Sequence, residues 1–119
     1  MRRVAATILV VLLCLLVFCQ SCSKPPDYLS ADAKRGWTAY RRICTICHNP
    51  DPFKEGTSSP GGPPIVGASE ELIRLRVTKL KYPRGYKPKR DTNLMTVQLQ
   101  AVPEIPYLHA YLKEVRKPE

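Results

Sequence analysis

Prolines are the feature that most limits the fold of this chain, because 12 of its 119 residues are proline. Proline lacks a backbone N–H and breaks helix interiors and central strands, so a long coiled coil or a helical array is excluded. Apolar residues make up 44% of the chain, which is enough for a core and excludes general disorder. The sequence therefore predicts one small domain with short regular elements and long loops.

The first residues have the pattern of an export signal. Two arginines precede an almost wholly apolar stretch at 4–18, which is short for a membrane-spanning helix of about 20 residues. The next residues resemble the end of a bacterial lipoprotein signal, with Ser21 before the cleavage point and Cys22 after it. We expect residues 1–21 to form a signal peptide and Cys22 to carry lipid. An uncleaved N-terminal anchor and ordinary cleavage are the alternatives.

Residues 22–29 contain two consecutive prolines and are predicted to form a stiff tether, which leaves residues 30–119 as the domain. Ser30 is a candidate N-cap, and apolar residues recur at a spacing of three and four over 32–43. This pattern predicts a first amphipathic helix. Residues 49–68 then form a long loop rich in proline and glycine.

Two further helices are predicted. One begins after Ser69 and is ended by Pro83 and Gly85, and the other begins between Pro103 and Pro106. Their apolar positions are Leu72, Ile73, Leu75, Val77 and Leu80 in the second helix, and Ile105, Leu108, Leu112 and Val115 in the third. Residues 87–97 form another loop, and no segment alternates like a strand. The fold class is therefore all-α, and helices this short need an additional group to hold them together.

The motif Cys44-Thr45-Ile46-Cys47-His48 indicates what that group is. The spacing C-x-x-C-H is the attachment signature of c-type haem. Two thiols three residues apart at the end of a helix can each form a thioether with a haem vinyl group. The adjacent histidine then reaches the iron from the same side. We therefore predict one covalently attached haem c, held by Cys44, Cys47 and His48.

The motif has two other possible uses. A thioredoxin-like redox pair needs a βαβ setting, which the sequence does not predict. Half of a zinc site needs further ligands, and the chain offers no second cysteine pair and only one other histidine, His109. Both alternatives stay open on the residues alone, with haem attachment favoured.

With this motif the chain resembles the class I cytochromes c over about Ser30 to Lys117. Gly36 and Tyr40 look like positions of the family's N-terminal helix, and Tyr111 looks like the aromatic partner on the C-terminal helix. The resemblance implies a small cytochrome c fold, with three to four helices and long loops wrapped around one haem. A glycine at position 36 would also let two helix backbones approach closely.

The resemblance extends to a loop and to a second iron ligand. Gly62-Pro63-Pro64-Ile65-Val66-Gly67 resembles the family's Gly-Pro-x-Leu-x-Gly loop, which implies that the Pro63 carbonyl accepts a hydrogen bond from the haem histidine. Met95 is the only methionine left after the signal, and it lies where the family places its axial methionine. His109 is the rival ligand. Thr96 stands where the family often has proline, which predicts a less rigid loop.

The positive charge of the chain indicates which class of partner it binds. The net charge is +9, and eight lysines and arginines lie between residues 74 and 90. An exported haem protein rarely meets nucleic acid, so no nucleic-acid partner is expected. The cluster is predicted to be a solvated surface that also steers redox partners with acidic docking surfaces.

These features together predict a carrier of single electrons, with His48 and Met95 as the axial ligands. We expect it on the periplasmic side of a bacterial membrane, anchored through lipid or an N-terminal segment. With both axial positions filled it is not expected to be an enzyme on its own, although it could be a subunit of a larger oxidoreductase. The alternative function is a haem-based gas sensor or ligand-binding protein, in which Met95 is labile.

Overall fold

The computed structural model describes residues 23–57, 61–88 and 95–117. It contains three α-helices, which are α1 (Ala31–Ile43), α2 (Glu70–Lys79) and α3 (Ile105–Glu114), and a 3-10 helix (Leu99–Glu104) that leads into α3. The described ranges contain no strand, which confirms the all-α class for this part of the chain. The predicted signal peptide and Cys22 lie outside the described residues.

Within those ranges, no helix has both the length and the apolar character needed to cross a bilayer.

Helix α1 begins where the sequence predicted. The side chain of Ser30 accepts a hydrogen bond from the backbone N–H of Ala33 at 3.2 Å, which satisfies a donor of the first turn. Asp32 lies near the positive end of the helix, and Arg41 and Arg42 lie near its negative end. The predicted N-cap is confirmed.

Helix α2 also has the predicted cap, because Ser69 accepts from the N–H of Leu72 at 3.2 Å. Its end differs from the prediction, since it stops at Lys79 rather than at Pro83 and Gly85. Leu80 adopts the left-handed conformation with φ 56°, and its carbonyl accepts from Nη1 of Arg76 at 2.7 Å. The helix therefore turns away before the first proline is reached.

Helix α3 is preceded by the 3-10 helix, which the sequence did not predict and which contains Pro103. Pro106 lies in the first turn of α3, where a missing N–H leaves no bond unmade. The predicted inner positions Ile105, Leu108 and Leu112 are buried, while Val115 is only partly buried at the C-terminal cap.

The centre of the core is the crossing of α1 and α3. The rings of Tyr40 and Tyr111 are tilted, with centroids 5.4 Å apart, and the hydroxyl of Tyr40 donates to the carbonyl of Asn49 at 2.5 Å. Both tyrosines are buried. The helix pairing that the resemblance implied for these two aromatic residues is therefore present.

The end of the predicted tether is part of this packed unit. Leu29 is 4% exposed and belongs to the core. The backbone N–H and the hydroxyl of Ser30 donate to the carboxylate of Glu114 at 2.9 and 2.8 Å. The hydroxyl of Tyr28 accepts from the N–H of Arg116 at 3.1 Å. The N-terminal root of the domain is thus bound to the end of α3.

Candidate haem site

The cysteine–histidine motif continues directly from the last turn of α1. Cys44 is the C-terminal cap of the helix, and its N–H donates to the carbonyl of Tyr40 at 2.8 Å. The N–H groups of Cys47 and His48 both donate to the carbonyl of Cys44, at 3.2 and 2.9 Å. The motif is therefore coiled into a tight turn that brings both thiols and the imidazole to one side. Both cysteines are free, Cys44 partly buried and Cys47 exposed.

A cavity of about 550 Å³ lies beside this turn. Its wall includes parts of the motif, the loop at 61–69, α2, the segment after residue 94 and α3. Cofactor sites typically have volumes of about 300–1,000 Å³ and mostly apolar walls. Five of the predicted site residues share this one cavity: Cys44, Cys47, His48, Pro63 and Met95.

His48 is held with one ring nitrogen fixed. Its Nδ1 lies 3.0 Å from the carbonyl oxygen of Pro63, and because a carbonyl can only accept, Nδ1 must carry the proton. In the neutral ring, Nε2 then keeps a lone pair that a metal ion can use. Burial has the largest effect on the pKa of His48 and lowers it. The positive charge of Arg76 also lowers this pKa, whereas the hydrogen bond to Pro63 raises it. Burial therefore favours the neutral form, which is the form that ligates metals.

Backbone hydrogen bonds fasten the glycine-proline loop to the motif. The N–H of Gly62 donates to the carbonyl of Cys47 at 2.8 Å, and the N–H of Gly56 donates to the carbonyl of Gly62 at 2.8 Å. A Cβ on Gly62 would lie 2.5 Å from Nδ1 of His48, so glycine is needed for the loop to pass this close to the ring. Gly62 was recognised only as part of a loop pattern, and Gly56 was not singled out, because the sequence does not show which backbone each one touches.

Met95 is half-buried and packs against the core cluster. The segment that follows it is joined to α2, because the N–H of Gln98 donates to the carbonyl of Val77 at 2.8 Å. Met95 and His48 both contribute to the wall of the cavity. Residues 89–94, which precede Met95, lie outside the described residues.

His109, the rival ligand, does not belong to the cavity wall as the described residues define it. Its Nδ1 lies 3.0 Å from the carbonyl oxygen of Ala68. Among the described residues, no three side chains from histidine, cysteine, aspartate and glutamate come together as a metal-ion site. The zinc alternative gains no support from the described part of the chain.

The cavity wall contains one permanently charged side chain among the described residues, Arg76. Its guanidinium carbon lies 4.3 Å from the centroid of the Tyr82 ring, and that ring stacks on Tyr86 with centroids 5.2 Å apart. Burial raises the pKa of the Cys44 thiol to about 12, so this cysteine is protonated at neutral pH. A mostly apolar pocket with one half-buried cation suits a largely apolar ligand that carries an acidic group.

Most of the basic cluster at residues 74–90 lies within the described residues. Arg74 pairs with Glu70 at 2.8 Å, whereas Arg76 lines the cavity. Five of its described members are exposed: Arg74, Lys79, Lys81, Arg84 and Lys87. Lys89 and Arg90 lie outside the described residues. The solvated surface expected from the sequence is thus present on and after α2.

Comparison of the chain with models of protein families, with curated proteins and with solved structures gives no match. The interpretation of the cavity therefore depends on the residues in its wall. The wall offers two thiols, one imidazole with a free Nε2, one thioether and one guanidinium. These groups fit a covalently attached haem.

Proposed function

We propose that this protein is a monohaem c-type cytochrome that carries single electrons between redox proteins. The observation that carries the proposal is the cavity whose wall contains Cys44, Cys47, His48 and Met95 together. These residues are spread over 52 positions of the sequence, and the helices and loops bring them around one space. The donor set is that of haem c with a histidine and a methionine ligand.

Each residue has a defined task in this proposal. Cys44 and Cys47 hold the macrocycle through thioethers, and His48 offers Nε2 to the iron while Pro63 holds its Nδ1. Met95 offers a thioether, which favours the reduced iron and so a relatively high potential. The bound group supplies a one-electron Fe(III)/Fe(II) couple. If His48 and Met95 both ligate the iron, the protein would leave no iron position for a substrate, and we do not propose an enzyme activity for the chain alone.

The cellular setting is part of the proposal. The cytochrome would be exported and held on the periplasmic side of a bacterial membrane through Cys22 or through an N-terminal anchor. The exposed lysines and arginines on and after α2 support docking to redox partners with acidic surfaces. No nucleic-acid partner is proposed.

Visible spectroscopy of the full-length protein isolated from membranes tests the cofactor and the ligand set together. Covalent haem should remain with the polypeptide after denaturation, and the oxidised and reduced spectra should be those of low-spin, six-coordinate iron. The double variant Cys44→Ala/Cys47→Ala should carry no covalent haem and should be degraded. The matched control Ser23→Ala, just after the predicted signal, should retain haem. A stable, folded double variant would contradict the proposal.

Gas binding separates this function from the sensor alternative. A sensor requires Met95 to leave the iron readily, whereas a carrier requires it to stay. Met95 packs against the core cluster, which favours the carrier. If the reduced wild-type protein takes up CO readily at neutral pH, the sensor function replaces the carrier function.

A further inference from the structure

Four hydrogen bonds meet at Gln98, three residues after Met95, and in one of them its carbonyl accepts from the N–H of Ala101 at 2.9 Å. Its backbone N–H donates to the carbonyl of Val77 at 2.8 Å. Its side-chain Nε2 donates to Oγ1 of Thr96 at 2.9 Å, and its Oε1 accepts from Nε2 of Gln100 at 2.5 Å. Thr96 and Gln98 both belong to the cavity wall. The segment beyond Met95 is therefore bound both to α2 and within itself.

The early end of α2 makes the bond to Val77 possible. The last carbonyls of a helix have no partner inside it, and Val77 lies in the last turn of α2. Leu80 takes the left-handed conformation with φ 56°, so the chain leaves the helix axis there. The carbonyl of Val77 accepts from Gln98 instead. The end of α2 thus supplies the acceptor that holds the segment after Met95.

We propose that Gln98 is a positioning residue that keeps Met95 in the cavity wall. The inference depends on the proposed function, in which Met95 is an iron ligand. Thr96 stands where a proline would restrict the backbone after the methionine, and the bond between Gln98 and Thr96 supplies that restriction through side chains. The bond to Val77 exists only while the segment lies against α2, and the side-chain bonds of Gln98 order the segment that makes it. Together they favour the closed site over the open one.

The test measures how readily the site opens. Gln98→Leu keeps the backbone N–H and the approximate size of the side chain but removes the amide, and Thr96→Val removes its acceptor. CO binds only the open state of the reduced protein, so its apparent affinity should rise by about three- to tenfold in either variant. A methionine sulfur bound to Fe(III) is expected to give a weak absorption band in the far red. This band should weaken in both variants.

Two further variants separate positioning from general stability. Gln98→Glu can accept a hydrogen bond from the Thr96 hydroxyl, so it should retain the wild-type CO affinity. Thr38→Val removes a comparable hydroxyl, which donates to the carbonyl of Lys34 at 3.1 Å on α1, and should leave CO affinity and the far-red band unchanged.

The outcomes distinguish the inference from the function on which it depends. A wild-type protein without the far-red band contradicts the histidine–methionine pair, and the inference falls with it. A wild-type protein that has the band, with Gln98→Leu and Thr96→Val unchanged in band and CO affinity, overturns the positioning role alone. Equal increases in the Thr38→Val control also overturn it, since they would show a loss of general stability.

Discussion

Gly36 of α1 lies against the backbone of Tyr107 in α3. A Cβ at position 36 would come within 2.5 Å of the carbonyl carbon of Tyr107 and within 2.8 Å of Cβ of Tyr111. The nearest atoms belong mainly to backbone, which cannot move aside as a flexible side chain can. The crossing of the two helices therefore depends on the absence of a side chain at this position.

Gly36→Ala should separate α1 from α3. Overpacking of a tight contact typically costs about 1–3 kcal/mol of the free energy of unfolding, and we expect a loss in the upper part of this range. Urea unfolding of the holoprotein followed by circular dichroism measures it. The control Thr38→Ala changes an exposed position of the same helix and should cost much less. Equal losses in both variants would contradict the close-contact explanation.

Gly62→Ala should move the imidazole of His48 rather than unfold the protein. The added Cβ would lie 2.6 Å from Cε1 of the ring, so the ring and its hydrogen bond to Pro63 must shift. We expect part of the haem to become high-spin, seen in the oxidised visible spectrum. Gly85→Ala is the control: it is strained at φ 81° but would meet nothing within 4 Å, so it should lower stability and leave the spectrum unchanged.

Met95→Ala should remove the sixth ligand. The far-red band should disappear, the reduction potential should fall because a thioether stabilises Fe(II), and CO should bind the reduced variant. Redox titration and CO difference spectra measure these changes. His109→Gln should alter none of them, since His109 is not part of the cavity wall that the described residues form. An unchanged Met95→Ala spectrum would make His109 the next ligand to test.

Cys22→Ser tests the anchor. If Cys22 carries lipid, the variant should be released from the membrane or remain unprocessed, while haem attachment continues. Membrane fractionation and mass spectrometry of the N-terminus measure this. Cys14→Ala, in the apolar stretch away from the cleavage point, is the control and should stay lipidated. Mature wild-type protein that begins at a residue other than Cys22 would refute lipidation. Both cysteines lie outside the described residues.

The free energy of unfolding should depend on pH through the carboxyl group of Glu114. The hydrogen bonds from Ser30 lower the pKa of Glu114 below its ordinary value of 4.5. A carboxyl whose pKa is lowered in the folded state contributes stability above 4.5, and this contribution disappears as the pH falls through its folded pKa. The difference in unfolding free energy between wild type and Glu114→Gln should therefore be present at neutral pH and vanish in acid. A difference that persists unchanged below that pH would contradict this linkage.

The sequence by itself determined the local features of this protein. Ser30 and Ser69 were identified as helix caps, and both accept the expected backbone hydrogen bond, because capping depends on a few neighbouring residues. Cys44 and Cys47 with His48 carried the cofactor prediction through spacing alone. The proline positions also predicted the long loops, since the constraint that proline places on φ is local.

Tertiary structure decided what depends on contact between distant segments. The end of α2 at Leu80 was missed, because it depends on a left-handed residue and on Arg76 reaching its carbonyl, and no sequence pattern marks a leucine for that conformation. The 3-10 helix at Leu99–Glu104 was also not predicted. The meeting of His48 with Pro63, and of Gln98 with Val77, joins segments separated by loops. Such contacts form only when the packed helices fix the path of each loop. No single stretch of residues determines that path.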